Sequence, residues 1–339
     1  MTTLDERVRS VVEGLVEGEG LSRQQRDLVV SMFETVVNLA RVDSDTLDLK
    51  IVDTALQEMA DAFEVFRPWR HVRKVTMFGS ARTAPEDPIY VLARDLARQL
   101  ASEGWMIVTG AGPGIMAAGT EGAGRDLSFG VNIRLPHEQG ANAFIAQDPK
   151  LVEMRYFFTR KLMLIKESHA YVVLPGGFGT LDECFELLTL LQTGKAEPAP
   201  VVLVETPGGG FWHAWLKFVE DEVVARGYVS APDLAFFRIV TSVHDATAEI
   251  QRYYHNYHSA RWVGDLLILR LHRLPGDDVL AKLSEEFADI LRSGRMRATK
   301  PLPPERSAGD HLDLERVALR FDKVSYARLR ALIDALNEY

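Results

Sequence analysis

Apolar residues recur at helical spacing through the first sixty-six positions. Val8, Val11, Val12 and Leu15 share one face, as do Leu28, Val29, Met32 and Val36, and then Ile51, Ala55, Met59 and Phe63. Gly18-Glu19-Gly20 and Asp43-Ser44-Asp45 interrupt the runs, and Ser22 is positioned to cap the second helix. Nothing in this stretch carries chemistry, so its expected role is packing or dimerisation.

From Lys74 the period changes. Short apolar runs at 75–78, 105–109, 130–135, 171–174 and 201–205 predict strands. Amphipathic runs at 87–103, 115–125, 156–167, 180–193 and 212–226 predict the helices between them. Alternation of this kind makes a doubly wound, Rossmann-like parallel sheet with helices on both faces. Ligands then sit at the carboxyl ends of the strands. Three glycine-bearing loops fall there: Gly79-Ser80-Ala81-Arg82, Gly110-Ala111-Gly112-Pro113-Gly114, and the stretch after Pro175.

Beyond residue 250 the texture shifts again. A strand is expected over 262–271, a helix over 277–291, a stiff proline connector over 300–306, a strand over 317–321 and a helix over 326–336. The expected organisation is a helical segment at 1–66, a catalytic α/β domain at 67–250 and a small α+β domain at 251–339.

Composition narrows the function. The 339 residues are 47% hydrophobic and 26% charged, ordinary globular values. A net charge of −9 disfavours bulk nucleic-acid or membrane-surface binding. The single cysteine, Cys184, excludes a disulfide framework and any multi-cysteine metal site; a core role on its helix is expected. No apolar stretch is long enough to span a membrane, and a reducing cytoplasm is the expected setting.

Residues 171–183 say most about chemistry. An apolar run ends at Pro175, three glycines follow within four residues, and Thr180 opens an amphipathic helix with Leu181, Cys184, Leu187, Leu188 and Leu191 on one face. Strand, glycine loop and helix start together hold an anion. The backbone comes close, and the first free N–H groups point at the ligand. Asp182 and Glu183 lie just inside that helix. Arg160-Lys161 sits in a mostly apolar helix, either as a snorkelling surface pair or as cations reaching the anion and Glu183. Each charge-assisted hydrogen bond to a phosphate would contribute roughly 1.5–3 kcal/mol.

Other patterns read as chemically silent. The loop at 110–114 lacks dinucleotide spacing and a following acidic residue for a ribose. Gly194-Lys195 follows a helix and carries Ala196 where a P-loop needs Ser or Thr. His255 and His258, and His137 beside Glu138, lack a third metal ligand, so no metal is expected. The basic stretch 67–74 reads as a linker packing on the first strand.

Pro175-Gly-Gly-Phe-Gly-Thr-Leu-Asp-Glu183 resembles the PGGxGTxxE signature of the Lonely Guy (LOG) proteins, cytokinin riboside 5′-monophosphate phosphoribohydrolases long mislabelled lysine decarboxylases. Phe78-Gly79-Ser80-Ala81 and Gly110-Ala-Gly-Pro-Gly-Ile-Met116 are similar to their other two loops, with Ala111 where a glycine is usual. The resemblance spans about residues 73–250. The family's Met-His-x-Arg-Lys reads Phe157-Phe158-Thr159-Arg160-Lys161 here, so the positions beside the base differ while the cation pair is kept.

The resemblance implies hydrolysis of the N-glycosidic bond of a purine nucleoside 5′-monophosphate, with Arg160 and Glu183 catalytic and no metal or organic cofactor. It implies phosphate and ribose contacts from Lys161, Gly176, Gly177, Phe178, Gly179, Thr180, Gly110, Gly112 and Ser80. Glu138, Asp182 and Thr189 are further substrate positions, and a homodimer is the implied assembly. Arg160 is expected to orient Glu183 and keep it ionised. Pyridoxal chemistry needs a Schiff-base lysine, and none lies in the glycine loops. A non-catalytic nucleotide or cofactor carrier on the same scaffold is the rival reading, against which Glu183 counts. An effector site after residue 250 is a third possibility.

Overall fold

The computed structural model describes residues 4–42, 44–135 and 140–339. It divides into two compact units, Met1–Asp61 and Ala62–Tyr339. The first holds helices α1 (Leu4–Leu15) and α2 (Arg23–Arg41) and most of α3 (Thr46–Phe66). Ser22 caps α2 as the sequence predicts: its Oγ accepts from the Gln25 N–H, and the Gln25 side chain returns to the Ser22 N–H. Val12 and Val30 are buried in this unit, whereas Leu28, Met32 and Val36 of the predicted apolar face are exposed.

The second unit begins with the doubly wound layer. In chain order it comprises β1 (Lys74–Phe78), α4 (Pro88–Ser102), β2 (Met106–Thr109), α5 (Ile115–Ala123), β3 (Ser128–Ile133), β4 (Leu151–Met154), α6 (Phe157–Lys166), β5 (Ala170–Val173), α7 (Phe178–Gln192), β6 (Val201–Val204), α8 (Phe211–Phe218), β7 (Phe237–Val240) and α9 (Val243–Tyr253). The seven strands are parallel and lie in the order β4-β3-β2-β1-β5-β6-β7. Every residue of β1, β2, β5 and β6 is buried, which is why these strands read as unbroken apolar runs. The sheet's edge strands, β4 and β7, have mixed burial and escaped sequence reading.

A four-stranded antiparallel sheet follows, built from β8 (Tyr257–Val263), β9 (Leu266–Leu271), α10 (Asp277–Glu286), β10 (Arg297–Ala298), α11 (Pro303–Ala308), β11 (Glu315–Leu319) and α12 (Tyr326–Leu336), in strand order β10-β11-β9-β8. Two expectations need correction. The single strand over 262–271 is a hairpin, turned at Gly264 (φ +60°) and Asp265. The expected connector at 300–306 contains α11, because Pro303 and Pro304 occupy the first helical turn, where no donor is needed, and Glu305 accepts from the Leu302 N–H.

One contiguous core joins the two layers. It runs from Val75 and Val172 through Ile250, Tyr253 and Tyr257 to Leu269, Val317 and Leu332. Asn337 stitches the end of the chain to it: its side chain accepts from the N–H groups of Asn256 and Tyr257 and donates to the Tyr253 carbonyl.

Candidate active site

Strand order reverses between β1 and β5. On one side the sheet continues to β2 and β3, on the other to β6 and β7. Loops leaving the two central strands therefore diverge and open a crevice. Three loops meet there. The Ser80 N–H donates to the Pro175 carbonyl at 3.2 Å, and the Ile115 N–H donates to the Ser80 carbonyl at 3.0 Å. Gly114 takes φ +65° to make this crossing, and a Cβ there would lie 2.2 Å from the Ser80 carbonyl oxygen. Ala111, also left-handed at φ +60°, is fastened by its N–H to Thr109 Oγ1, and its carbonyl accepts from Asn142.

The crevice is a cavity of about 870 Å3. Its polar wall is Ser80, Gly110, Arg160, the 176–180 turn, Asp182 and Glu183; Met116, Ile133, Leu135 and Phe157 form the apolar wall. The 176–180 turn carries the start of α7, whose first N–H groups have no intrahelical partner and no side-chain cap. Phe178 is 94% exposed on this turn.

Glu183, one turn into α7, is only 6% exposed. Its Oε1 lies 3.8 Å from Arg160 Nη1 and its Oε2 lies 3.5 Å from Lys161 Nζ, while Oε2 makes no hydrogen bond among the described residues. Burial pushes the carboxyl above its ordinary range, and Lys161 and then Arg160 pull it only part of the way back. Desolvation thus outweighs the two cations, of which Lys161 has the larger influence and Arg160 the smaller.

Arg160 is oriented by a hydrogen bond from Nε to the Val131 carbonyl at 2.9 Å. Its guanidinium lies over Gly110, where a Cβ would be 2.0 Å from Nη2. The glycine at 110 is thus the space that the arginine occupies.

Lys161 points the other way along α6. Its ammonium lies 2.7 Å from Glu186, 2.8 Å from Asp182 and 3.5 Å from Glu183. Burial opposes its charge, but the hydrogen bonds to Asp182 and Glu186 prevail and hold it above the ordinary lysine range. It is not among the cavity-lining residues, and neither is Gly112, which packs on Met116. Thr189 lies on α7 beyond the cavity, its hydroxyl donating to the Phe185 carbonyl at 2.7 Å. Glu138 lies outside the described residues. Ser80, Gly110, Arg160, Gly176, Gly177, Phe178, Gly179, Thr180, Asp182 and Glu183 come together. Sequence reading had not assigned Phe157 or Met116 to the site, although Phe157 stands one helical turn before Arg160.

These features define the class: a Rossmann-like α/β protein whose pocket, at the switch point of the sheet, pairs a glycine turn at a helix N-terminus with a buried acidic side chain. A family profile described as "Possible lysine decarboxylase" matches residues 111–250. A protein of Mycobacterium tuberculosis named cytokinin riboside 5′-monophosphate phosphoribohydrolase is 30% identical over 159 residues, 46% of this chain and 81% of that protein. The cytokinin riboside 5′-monophosphate phosphoribohydrolase LOG3 of Arabidopsis thaliana is 26% identical over 162 residues, 47% of this chain and 72% of that protein. Among solved structures, the molybdenum cofactor binding protein of Rippkaea orientalis aligns at TM-score 0.39 and 18% identity, covering 53% of this chain and 96% of that one. The chain belongs to the Lonely Guy family, as the match to the mycobacterial protein shows.

Proposed function

We propose that the chain hydrolyses the N-glycosidic bond of purine nucleoside 5′-monophosphates, AMP or a cytokinin riboside 5′-monophosphate, giving the free base and ribose 5-phosphate. The observation that carries this reading is the buried Glu183 carboxyl group, whose Oε2 makes no hydrogen bond among the described residues, beside a glycine turn at the N-terminus of α7. A carrier has no use for such a group, since burying it is costly.

The chemistry follows from the residues. The 5′-phosphate docks on the N–H groups at 176–180, and its binding energy fixes the ribose. Departure of the base leaves positive charge on the anomeric carbon and ring oxygen. The Glu183 carboxylate stabilises that charge and accepts the proton of the attacking water. Water oxygen bonds to the anomeric carbon as the carbon–nitrogen bond breaks; the base leaves with the bonding pair and takes up a proton from solvent, and Glu183 returns the water's proton to solvent, so that one water is consumed. Arg160 supplies a fixed cation beside the phosphate and the acid. The apolar wall, with Phe157 on it, receives the base.

Lysine decarboxylation through a pyridoxal group does not suit these side chains. Lys161, next to Arg160 in sequence, is held as an ammonium by three carboxylates.

Incubation with AMP and with isopentenyladenosine monophosphate, followed by chromatography of the free base, tests the proposal. Base release is expected from at least one. Tight nucleotide binding without release from either would overturn it in favour of a carrier. Glu183→Gln should lower turnover roughly 10²–10⁴-fold while leaving nucleotide affinity within a fewfold of wild type.

A further inference from the structure

At the opposite, amino-terminal end of the same strands lies a second cavity, of about 400 Å3. The segment ahead of β1, the turn into β5, strand β8 and the loop after α11 enclose it. Its lining is rich in basic side chains. Arg70, His71 and Arg73 come from the first, His169 from the second, His258 and Arg261 from the third, and His311 from the last.

Most carboxylates nearby are already used. Asp310 pairs with Arg261 and, at 2.6 Å, with Arg270. Arg270 is also held by Glu305 at 2.9 Å. Glu197 is the other acid on the lining. Arg70 and Arg73 have no carboxylate within ion-pair distance among the described residues. Arg73 is instead held over Tyr254, its guanidinium carbon 3.9 Å from the ring centroid, so it has an aromatic partner but no acidic one. The His258 ring lies 4.4 Å from that of His311 and 5.7 Å from that of His272. Among the described residues no group of three His, Cys, Asp or Glu side chains could hold a metal ion.

We propose that this cavity binds a phosphorylated small molecule, gripped by Arg70 and Arg73 and by the imidazoles of His258 and His311. One guanidinium held over an aromatic ring, a second, exposed one beside it, imidazoles able to donate when protonated, and room for a compact phosphate-bearing ligand are what such a molecule requires. The imidazoles give it a signature. Burial, then His311, Arg73, His272 and Arg270, hold His258 down at about 4. Burial, then Lys74, Arg73 and His258, hold His169 at about 4, and its Nδ1 accepts from the Lys74 N–H. Glu197 and Asp310 are the acidic groups facing them. An entering anion reverses the repulsion at His258, whose ring then takes up a proton, so binding tightens as pH falls. The inference concerns binding alone and stands apart from the catalytic proposal.

Titration calorimetry of the full chain with inorganic pyrophosphate and with ATP is the test; the two probes separate a bare phosphate chain from a nucleotide. Expected is a dissociation constant that rises roughly tenfold or more in Arg73→Gln and in His311→Gln. It should fall as pH goes from about 8 to about 5.5, with net proton uptake, and the binding component weakened by the cavity substitutions should persist in Arg160→Met, whatever that variant does to nucleotide binding at the other end of the strands. Because His311 is exposed, that variant keeps the test open should Arg73→Gln misfold. No binding of either probe, binding indifferent to both cavity substitutions, or binding abolished by Arg160→Met would overturn the proposal.

Discussion

Glu183 and its two cations make a small electrostatic machine whose settings can be read from pH. Burial raises the carboxyl, Lys161 is the larger opposing influence and Arg160 the smaller. If Glu183 works as the carboxylate, activity rises with pH through its elevated pKa, giving the acid limb of the kcat/KM profile. Lys161→Met removes the stronger of the opposing charges, so the carboxyl climbs further and that limb moves to higher pH. Methionine keeps the volume of the stem, and pH–rate profiles of the two proteins check the direction. Lower activity with an unmoved limb would mean that Lys161 only packs. The Arg160–Lys161 dipeptide was legible as a cation pair. That the two side chains part, one into the cavity and one onto the acids of α7, was not, because it depends on which face of α6 meets Val131 and which meets Glu186. Cys184 was legible as core: it is wholly buried, and burial pushes its thiol up to about 12.

The elements that build the site were the most readable part of the chain. β5, the glycine turn and α7 show as an apolar run, a break and a new period, since a strand buried on both faces must be apolar throughout. β4 and β7 hide because four residues at a sheet edge, partly wet, leave neither a run nor a clean alternation. The hairpin of β8 and β9 was misread although Gly264-Asp265 is a turn signal, since apolar residues on both sides masked it. The glycines separate fold from function in a way that can be tested. A Cβ at Gly110 meets the movable ends of Arg160 and Met116, whereas one at Gly114 meets the Ser80–Ala81 backbone and sits at positive φ. Gly110→Ala should therefore stay within about 1 kcal/mol of wild-type stability yet lose at least roughly tenfold in kcat/KM as the guanidinium is displaced. Gly114→Ala should cost about 2–4 kcal/mol, from strain and a backbone clash together. Denaturant melts alongside kinetics decide the pair; equal stability losses would refute the distinction.

Residues 62–339 share one core, in which the antiparallel layer completes the parallel one, so the two are expected to unfold together. α12 buries Leu329, Leu332, Ile333 and Leu336, and Asn337 satisfies backbone groups at the junction of α9 and β8. Arg330 on the same helix reaches Glu249 at 2.8 Å and Asp334 at 3.1 Å. Full burial of four aliphatic side chains of this size is worth about 6–12 kcal/mol as an upper figure. A whole domain is stable by only about 5–15 kcal/mol. The two ranges overlap, so the helix is indispensable rather than ornamental, even though the candidate active site lies wholly on the parallel layer. A stop codon at Ser325 should accordingly yield a chain without a cooperative melt and with amides of β5 and β6 exchanging as in an unfolded protein. Hydrogen exchange on the truncated chain measures this. Protected central strands there would show that the parallel layer folds alone and that the shared core is a docking surface between independent halves.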